Sequence, residues 1–310
     1  HKKIMTHFLY MPLTGLGLYG GHRGKRWLRN RIKIFKQFVL RSLLAQTNKN
    51  FILWVSVRHE DRYDPVMREF REFLESIKEF RTVFTYAGVC FWDDKFPDDV
   101  AHERLASNVH SSMPELLNIM GESKTILMTI QPSDDCYYSG MVDEVQKFFE
   151  ENKITHVFGY RRGFVMDYIN GRLAEWNPKT TPPFYTIRFD RESFINPTKH
   201  LKYTGPYKSH EYVKDFLPAY YTEDIRGFIV GTHGENISTI FDHPFTGHEY
   251  LGDNVDSNLE RFGLAGVPAL KLKTSLRRMF MRRLPYGWQR KLRYLLGEKF
   301  YAKAYDFLRS

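Results

Sequence analysis

Over roughly its first 160 residues the chain alternates strand-length apolar runs with helix-length amphipathic stretches, and this switching of period is its most restrictive feature. Ile4–Met11 reads as a strand. Residues 31–46 place Ile34, Phe38, Leu40, Leu43 and Leu44 at helical spacing. Asn48–Lys49–Asn50 is a turn, and Phe51–Val57 a second strand. Pro65 opens a helix over 65–79, at a position where its missing N–H costs nothing. Arg81–Tyr86 is a third strand. Residues 101–120 are helical, and Pro114 is expected to kink or split them. Lys124–Ile130 is a strand, Met141–Glu151 a helix and Thr155–Tyr160 a strand. Strands separated by helices of ten or more residues imply β-α-β crossovers and a largely parallel sheet. After about residue 160, glycine, proline and aromatics increase, and Asn170–Gly171 predicts a hairpin-like turn. The expectation is an α/β nucleotide-type half followed by a mixed half with antiparallel pieces. There is no internal repeat.

Composition bears on what the chain is not. With 42% hydrophobic and 26% charged residues it is neither disordered nor collagen-like. No window of about 18 apolar residues exists to form a membrane-spanning helix. The start, HKKIMTHFLYMPL, does not read as a secretory signal. Two cysteines, Cys90 and Cys136, form no disulfide framework and no zinc spacing, so a reducing, cytoplasmic setting is expected.

The net charge of +10 is confined to one place. Residues 271–310 carry twelve Lys or Arg against Glu298 and Asp306, and the rest of the chain is balanced. A nucleic-acid-binding domain usually builds its basic face into the fold, so no nucleic-acid partner is expected. The basic segment mixes its charges with Leu, Phe, Met, Trp and Tyr, the composition of a helix that lies on an anionic membrane surface. Docking on an acidic partner, or packing on the body of the protein, are the alternatives.

The most informative passage is KTILMTIQPSDDCYYSGMVDEV. An apolar strand ends at Ile130 and runs into Ser133, Asp134 and Asp135, and a helix begins near Ser139. Ligands of open α/β sheets bind beyond the carboxyl ends of the strands. Two adjacent carboxylates there repel each other unless a cation or N–H donors compensate. A divalent ion bridging a diphosphate is one solution. Capping of a turn or helix by the two aspartates is the other.

Three stretches together resemble the GT-A glycosyltransferases, and more narrowly their rhamnosyltransferase-like group. They are FKQFVLRSLLAQTNKNFILWVSV, with S-L-x-x-Q-T before the second strand; the strand ending in Ser133-Asp134-Asp135; and THGENIS at 232–238. The resemblance covers about residues 4–245. It implies a GT-A-like mixed, mostly parallel sheet flanked by helices, with a nucleotide half of about 1–135 and an acceptor half of about 136–245. A linker and basic amphipathic segment follow over 246–310. The implied activity is transfer of a sugar from a UDP-, dTDP- or GDP-linked donor to a glycan or lipid-linked acceptor, metal-assisted and inverting, at the inner face of a membrane. Asp134 would hold Mn²⁺ or Mg²⁺ on the donor diphosphate and His233 would complete the coordination, an imidazole being a fitting ligand for Mn²⁺. Ser133 would touch the donor, and Asp135 would serve the catalytic centre from behind the metal ligand or by binding the sugar. The family pattern is Asp-x-Asp-Asp. Pro132 stands at the first position, which leaves one carboxylate fewer.

An inverting transfer needs a carboxylate base for the acceptor hydroxyl. Glu211, ahead of an apolar helical run, is favoured over Glu223 or Asp224. By the same resemblance Met11 and Pro12 after the first strand, Arg58, Glu60 and Asp61 after the second, and Arg104 on a helix would line the nucleotide. The glycine-rich Gly15–Gly24 lacks both G-x-G-x-x-G and Walker spacing and reads as a loop over the donor, with Arg23, Lys25 and Arg26 near phosphate. Trp92 beside Asp93 and Asp94, and Tyr137 with Tyr138, are candidates for sugar stacking, with core packing the default. Two rivals stand beside this reading: a metal-dependent phosphoesterase or nuclease, and an inactive glycosyltransferase-fold binding module.

Overall fold

The computed structural model describes residues 5–14, 24–87, 98–204, 210–234, 236, 241, 249–250 and 255–272. The glycine-rich Gly15–Arg23, Trp92–Asp94 and residues 273–310 lie outside the described residues. The chain begins with β1 (Met5–Pro12), followed by α1 (Gly24–Ile34), a π-turn (Phe35–Val39) and α2 (Leu40–Ala45). β2 (Ile52–Ser56), α3 (Pro65–Ser76), β3 (Arg81–Thr85), α4 (Asp98–Met120) and β4 (Thr125–Ile130) complete the first half. β5 (Cys136–Tyr137) and α5 (Met141–Glu151) lead into β6 (Val157–Asp167), β7 (Arg172–Trp176) and β8 (Tyr185–Asp190). Then come α6 (Arg191–Ile195), α7 (Pro197–Thr204), α8 (Val213–Phe216), β9 (Ala219–Thr232), β10 (Glu249–Tyr250) and α9 (Val255–Glu260).

These strands form one sheet. β3, β2, β1 and β4 are parallel neighbours in that order. β8 joins β4 antiparallel, β6 pairs antiparallel with β8 and β7, and β9 runs parallel to β6. The expected fold class, a mixed sheet flanked by helices with its parallel part first, is the one observed. Side chains alternate across a strand, so each strand feeds two cores. Leu9, Met11, Leu53 and Val55 face a core shared with Leu28, Phe38 and Val145 of α1, the π-turn and α5. Phe8, Tyr10, Ile52 and Trp54 face a second core with Leu105, Phe194 and Leu201 of α4, α6 and α7.

Three local outcomes differ from the sequence expectation, and one agrees with it. The helix expected over 31–46 starts at Gly24 and contains the π-turn, in which the Leu40 N–H reaches back to the Phe35 carbonyl. Pro114 sits inside α4 without dividing it, because Val109, Met113, Leu116 and Met120 bind both sides of it to the sheet. The hairpin expected at Asn170–Gly171 is present as a four-residue loop, in which the Asp167 carboxylate accepts from the N–H groups of Ile169 and Asn170 and Gly171 takes a φ of 69°. Part of the expected linker is built into the body. Leu259, Phe262, Leu264 and Leu270 are buried in the first core, and the Pro268 carbonyl accepts from Gln37. Among the described residues no helix is long and apolar enough to cross a membrane.

Candidate functional site

The acidic turn leaves the carboxyl end of β4, next to β1, at the edge where parallel α/β sheets bind ligands. It is held from three directions. From α2, the S-L-x-x-Q-T passage clamps the segment that follows it. Ser42 donates its hydroxyl to the Tyr137 carbonyl at 3.2 Å, and Gln46 donates to the Tyr138 carbonyl at 2.7 Å while accepting from the Val142 N–H at 3.1 Å. The Thr47 N–H donates to the Ser139 carbonyl at 2.8 Å. The motif that carried the resemblance is therefore a backbone clamp.

From β9, the Gly231 N–H donates to Asp135 Oδ1 at 2.9 Å. Only glycine fits there, because a Cβ would lie 2.2 Å from the Tyr168 ring and 2.5 Å from the Asp134 carbonyl. From the β6–β7 loop, the Tyr168 hydroxyl donates to the Asp134 carbonyl at 2.8 Å, and its ring stacks on Phe38 of the π-turn at 3.6 Å.

Two groups converge on the Asp134 side chain. Arg31 of α1 makes an ion pair with Oδ2, and His233 Nε2 lies 3.0 Å from the same oxygen. Both partners are buried, Arg31 at 7% and His233 at 1% exposure. Burial alone would raise the Asp134 pKa. The Arg31 charge and the His233 hydrogen bond outweigh it and hold the carboxyl well below its usual range. An ionised carboxylate only accepts, so Nε2 carries the hydrogen. The backbone N–H of His233 donates to Asn236 Oδ1 at 2.8 Å, and Asn236 Nδ2 donates to the Gly231 carbonyl at 2.5 Å. That closes the turn at Gly234, whose φ is 76°. Asp135 goes the other way. Burial and the neighbouring Asp134 charge raise its pKa well above the carboxylate range, against the opposing Gly231 N–H.

A second cluster lies at the ends of β1 and β2. Asp61 is buried, and its carboxylate accepts from the Arg58 guanidinium at 2.9 and 3.1 Å and from the Thr14 hydroxyl at 2.5 Å. The Arg58 N–H donates to the Thr14 oxygen at 2.9 Å. The expected Arg58 and Asp61 are thus brought together, with Thr14 added.

The remaining expected residues are spread out. Met11 is fully buried in the first core, Pro12 is buried in register with Ser56, and Ser133 is buried in the acidic turn. Glu60 is exposed. Arg104 lies on the exposed side of α4, one position before buried Leu105. Tyr137 is core, not a stacking surface: it is 1% exposed and donates its hydroxyl to the Ile130 carbonyl. The Tyr138 and Tyr160 hydroxyls share the Glu144 carboxylate at 2.5 and 2.6 Å. Glu211 is half-buried in the 3-10 turn His210–Tyr212, anchored by His210 Nδ1 to the Thr181 carbonyl at 2.8 Å. Its neighbour Val213 packs in the second core, so Glu211 and Arg31 are carried by opposite helical layers. Glu223 pairs with Arg162 at 3.0 Å on the surface.

The donor set does not fit a divalent ion. Arg31 and His233 both occupy Oδ2 of Asp134, which leaves an ion one carboxylate oxygen beside a fixed positive charge, and His233 Nε2 is committed as a donor. Asp135 is turned to Gly231, and position 132 is proline. Among the described residues, no three or more His, Cys, Asp or Glu are grouped so as to hold a metal.

Sequence reasoning missed Arg31. It falls with Trp27, Leu28 and Ile34 on the apolar stripe of α1, so a lone cation within that stripe was the readable signal.

A mixed sheet whose parallel strands β3, β2, β1 and β4 end beside a polar cluster defines a protein of the α/β class. Residues 23–87 match the model of the family described as putative rhamnosyl transferase. The match takes in α1, the S-L-x-x-Q-T passage and the second strand, and so bears out the resemblance seen in the sequence over that stretch. No curated protein matches the chain. Among solved structures, S. aureus TarS 1-349 is similar at 13% identity and a TM-score of 0.39, over 73% of this chain and 60% of that one. S. aureus TarS is similar at 14% identity and 0.36, over 98% and 54%. The chain thus spans somewhat over half the length of these structures.

Proposed function

We propose that the chain is an inverting glycosyltransferase that moves a sugar from a nucleoside-diphosphate donor to a hydroxyl of a glycan or lipid-linked acceptor. The observation that carries this reading is the buried Arg31–Asp134–His233 cluster at the carboxyl edge of the parallel strands, adjoining a segment that matches the rhamnosyl transferase family model. Such an edge is where a nucleotide seats. The Thr14–Arg58–Asp61 cluster, at the ends of β1 and β2, supplies donors and acceptors for the nucleoside. A carboxylate base on the acceptor side takes the acceptor proton as the hydroxyl attacks the anomeric carbon. The basic segment 271–310 holds the enzyme against an anionic membrane, close to a lipid-linked acceptor.

The test is release of nucleoside diphosphate from UDP-, dTDP- and GDP-sugars. One donor class should turn over, and Asp134→Asn should abolish turnover while circular dichroism reports an unchanged fold. Full turnover by a folded Asp134→Asn protein would reject the assignment.

A further inference from the structure

We infer that Arg31 takes the place of the divalent ion at this site: its guanidinium, oriented by Asp134, binds the donor diphosphate and the leaving group departs without a metal. The inference rests on the proposed glycosyltransferase reading. A guanidinium carries five N–H donors in a fixed fork that suits phosphate as well as carboxylate. Arg31 uses one edge on Asp134 Oδ2, and its carbon centre lies 5.2 Å from the Trp27 ring centroid, which fixes the side chain over an aromatic face. Among the described residues, Asp134 is the polar partner of that guanidinium, which leaves N–H groups for an incoming anion.

Three further observations agree. The second carboxylate is withdrawn to the Gly231 N–H. The imidazole of His233 presents hydrogen, not a lone pair, to Asp134. Proline fills the position where the family pattern has another aspartate. Each removes a ligand a cation needs, and together they leave a donor-rich, ligand-poor site.

The step balances without a metal. The acceptor oxygen bonds to the anomeric carbon, and its proton passes to a carboxylate base on the acceptor side. The bond from that carbon to the diphosphate oxygen breaks, and its electron pair leaves as the added negative charge of the nucleoside diphosphate. Preorganised N–H donors stabilise charge that develops in this way.

Titration calorimetry with UDP, dTDP and GDP on the whole chain tests the inference, each in excess EDTA and in millimolar Mn²⁺. The expected result is one nucleotide binding with the same affinity in both. Arg31→Gln should weaken it at least about tenfold, the size of a lost charge-assisted hydrogen bond, and Arg31→Lys should recover part of the loss. Arg31→Gln leaves Asp134 with His233 but without its cationic partner. Arg31→Gln with Asp134→Asn replaces the ion pair by two amides, and thermal unfolding confirms that it folds; the affinity loss should persist in it. Binding that vanishes in EDTA and returns with Mn²⁺ would overturn the inference and leave the glycosyltransferase reading standing. Parent-like affinity in the double variant would also overturn it. Absence of binding by all three nucleotides under both conditions would reject the glycosyltransferase reading itself.

Discussion

Gln46 connects the most recognisable passage of the sequence to the acidic turn, so its removal is a sharp test. Its side chain is 2% exposed. Nε2 donates to the carbonyl of Tyr138 at 2.7 Å and to that of Ser42 at 3.4 Å, and Oε1 accepts from the Val142 N–H at 3.1 Å. Gln46→Ala strips the Val142 N–H of its partner and removes one of two donors from the Tyr138 carbonyl, which keeps the Met141 N–H at 3.1 Å. Each unsatisfied buried group costs roughly 1–3 kcal/mol, and the void left by the missing amide adds to that. The expected loss is about 2–4 kcal/mol, a large share of a typical folding free energy of about 5–15 kcal/mol. Urea denaturation should show a lower midpoint with an unchanged slope. Thr47→Val makes the internal comparison. Its hydroxyl contact to the Ser139 carbonyl, 3.2 Å, is exposed, and the Thr47 N–H bond survives the change, so it should cost under about 1 kcal/mol. A Gln46→Ala cost as small as that of Thr47→Val would refute the claim that this motif is a clamp.

Asp135→Asn keeps an oxygen for the Gly231 N–H and removes the charge, so it should leave stability at pH 7 equal or higher; a protein that folds but does not turn over would instead make Asp135 catalytic. Its parent carboxyl has a raised folded-state pKa, so its contribution to stability is full below the unfolded value near 3.9 and declines as pH rises above that. Histidine works in the opposite direction. Burial lowers His7 to about 3 and His200 to about 4, so their stabilising contribution is full above about 6.5 and is lost as pH falls toward those values. In the Asp135→Asn background, stability should fall by roughly 2 kcal/mol per histidine between pH 6.5 and 5, and His7→Gln should reduce that slope; an unchanged slope would count against a buried neutral His7. Reversing Arg277, Arg278, Arg282 and Arg283 to glutamate should abolish sedimentation with phosphatidylserine vesicles without altering nucleotide affinity, and equal sedimentation would remove the membrane proposal.

The sequence by itself determined the layers. Strand-length runs at Phe51–Val57 and Lys124–Ile130, separated by helical periods, leave few arrangements other than a parallel sheet covered on both faces, because each face must be buried. It also marked Asp134 and His233, since an acidic pair after an apolar strand and a His-Gly turn after an apolar run are local patterns. What partners Asp134 was decided only in three dimensions. Arg31 and His233 lie about a hundred residues to either side of it in sequence, and the β1–β4 and β6–β9 pairings bring their elements to one edge. No local pattern distinguishes a buried arginine that neutralises a carboxylate from a solvated one on the same helix. The same holds for Tyr168, which reads as an ordinary loop residue until the acidic turn is folded against it, and for the partners of Gln46, whose motif is visible in the sequence but whose clamp is not. Hydrophobic period is a property of neighbours along the chain, whereas charge compensation is a property of neighbours in space, and only the tertiary structure supplies the second kind.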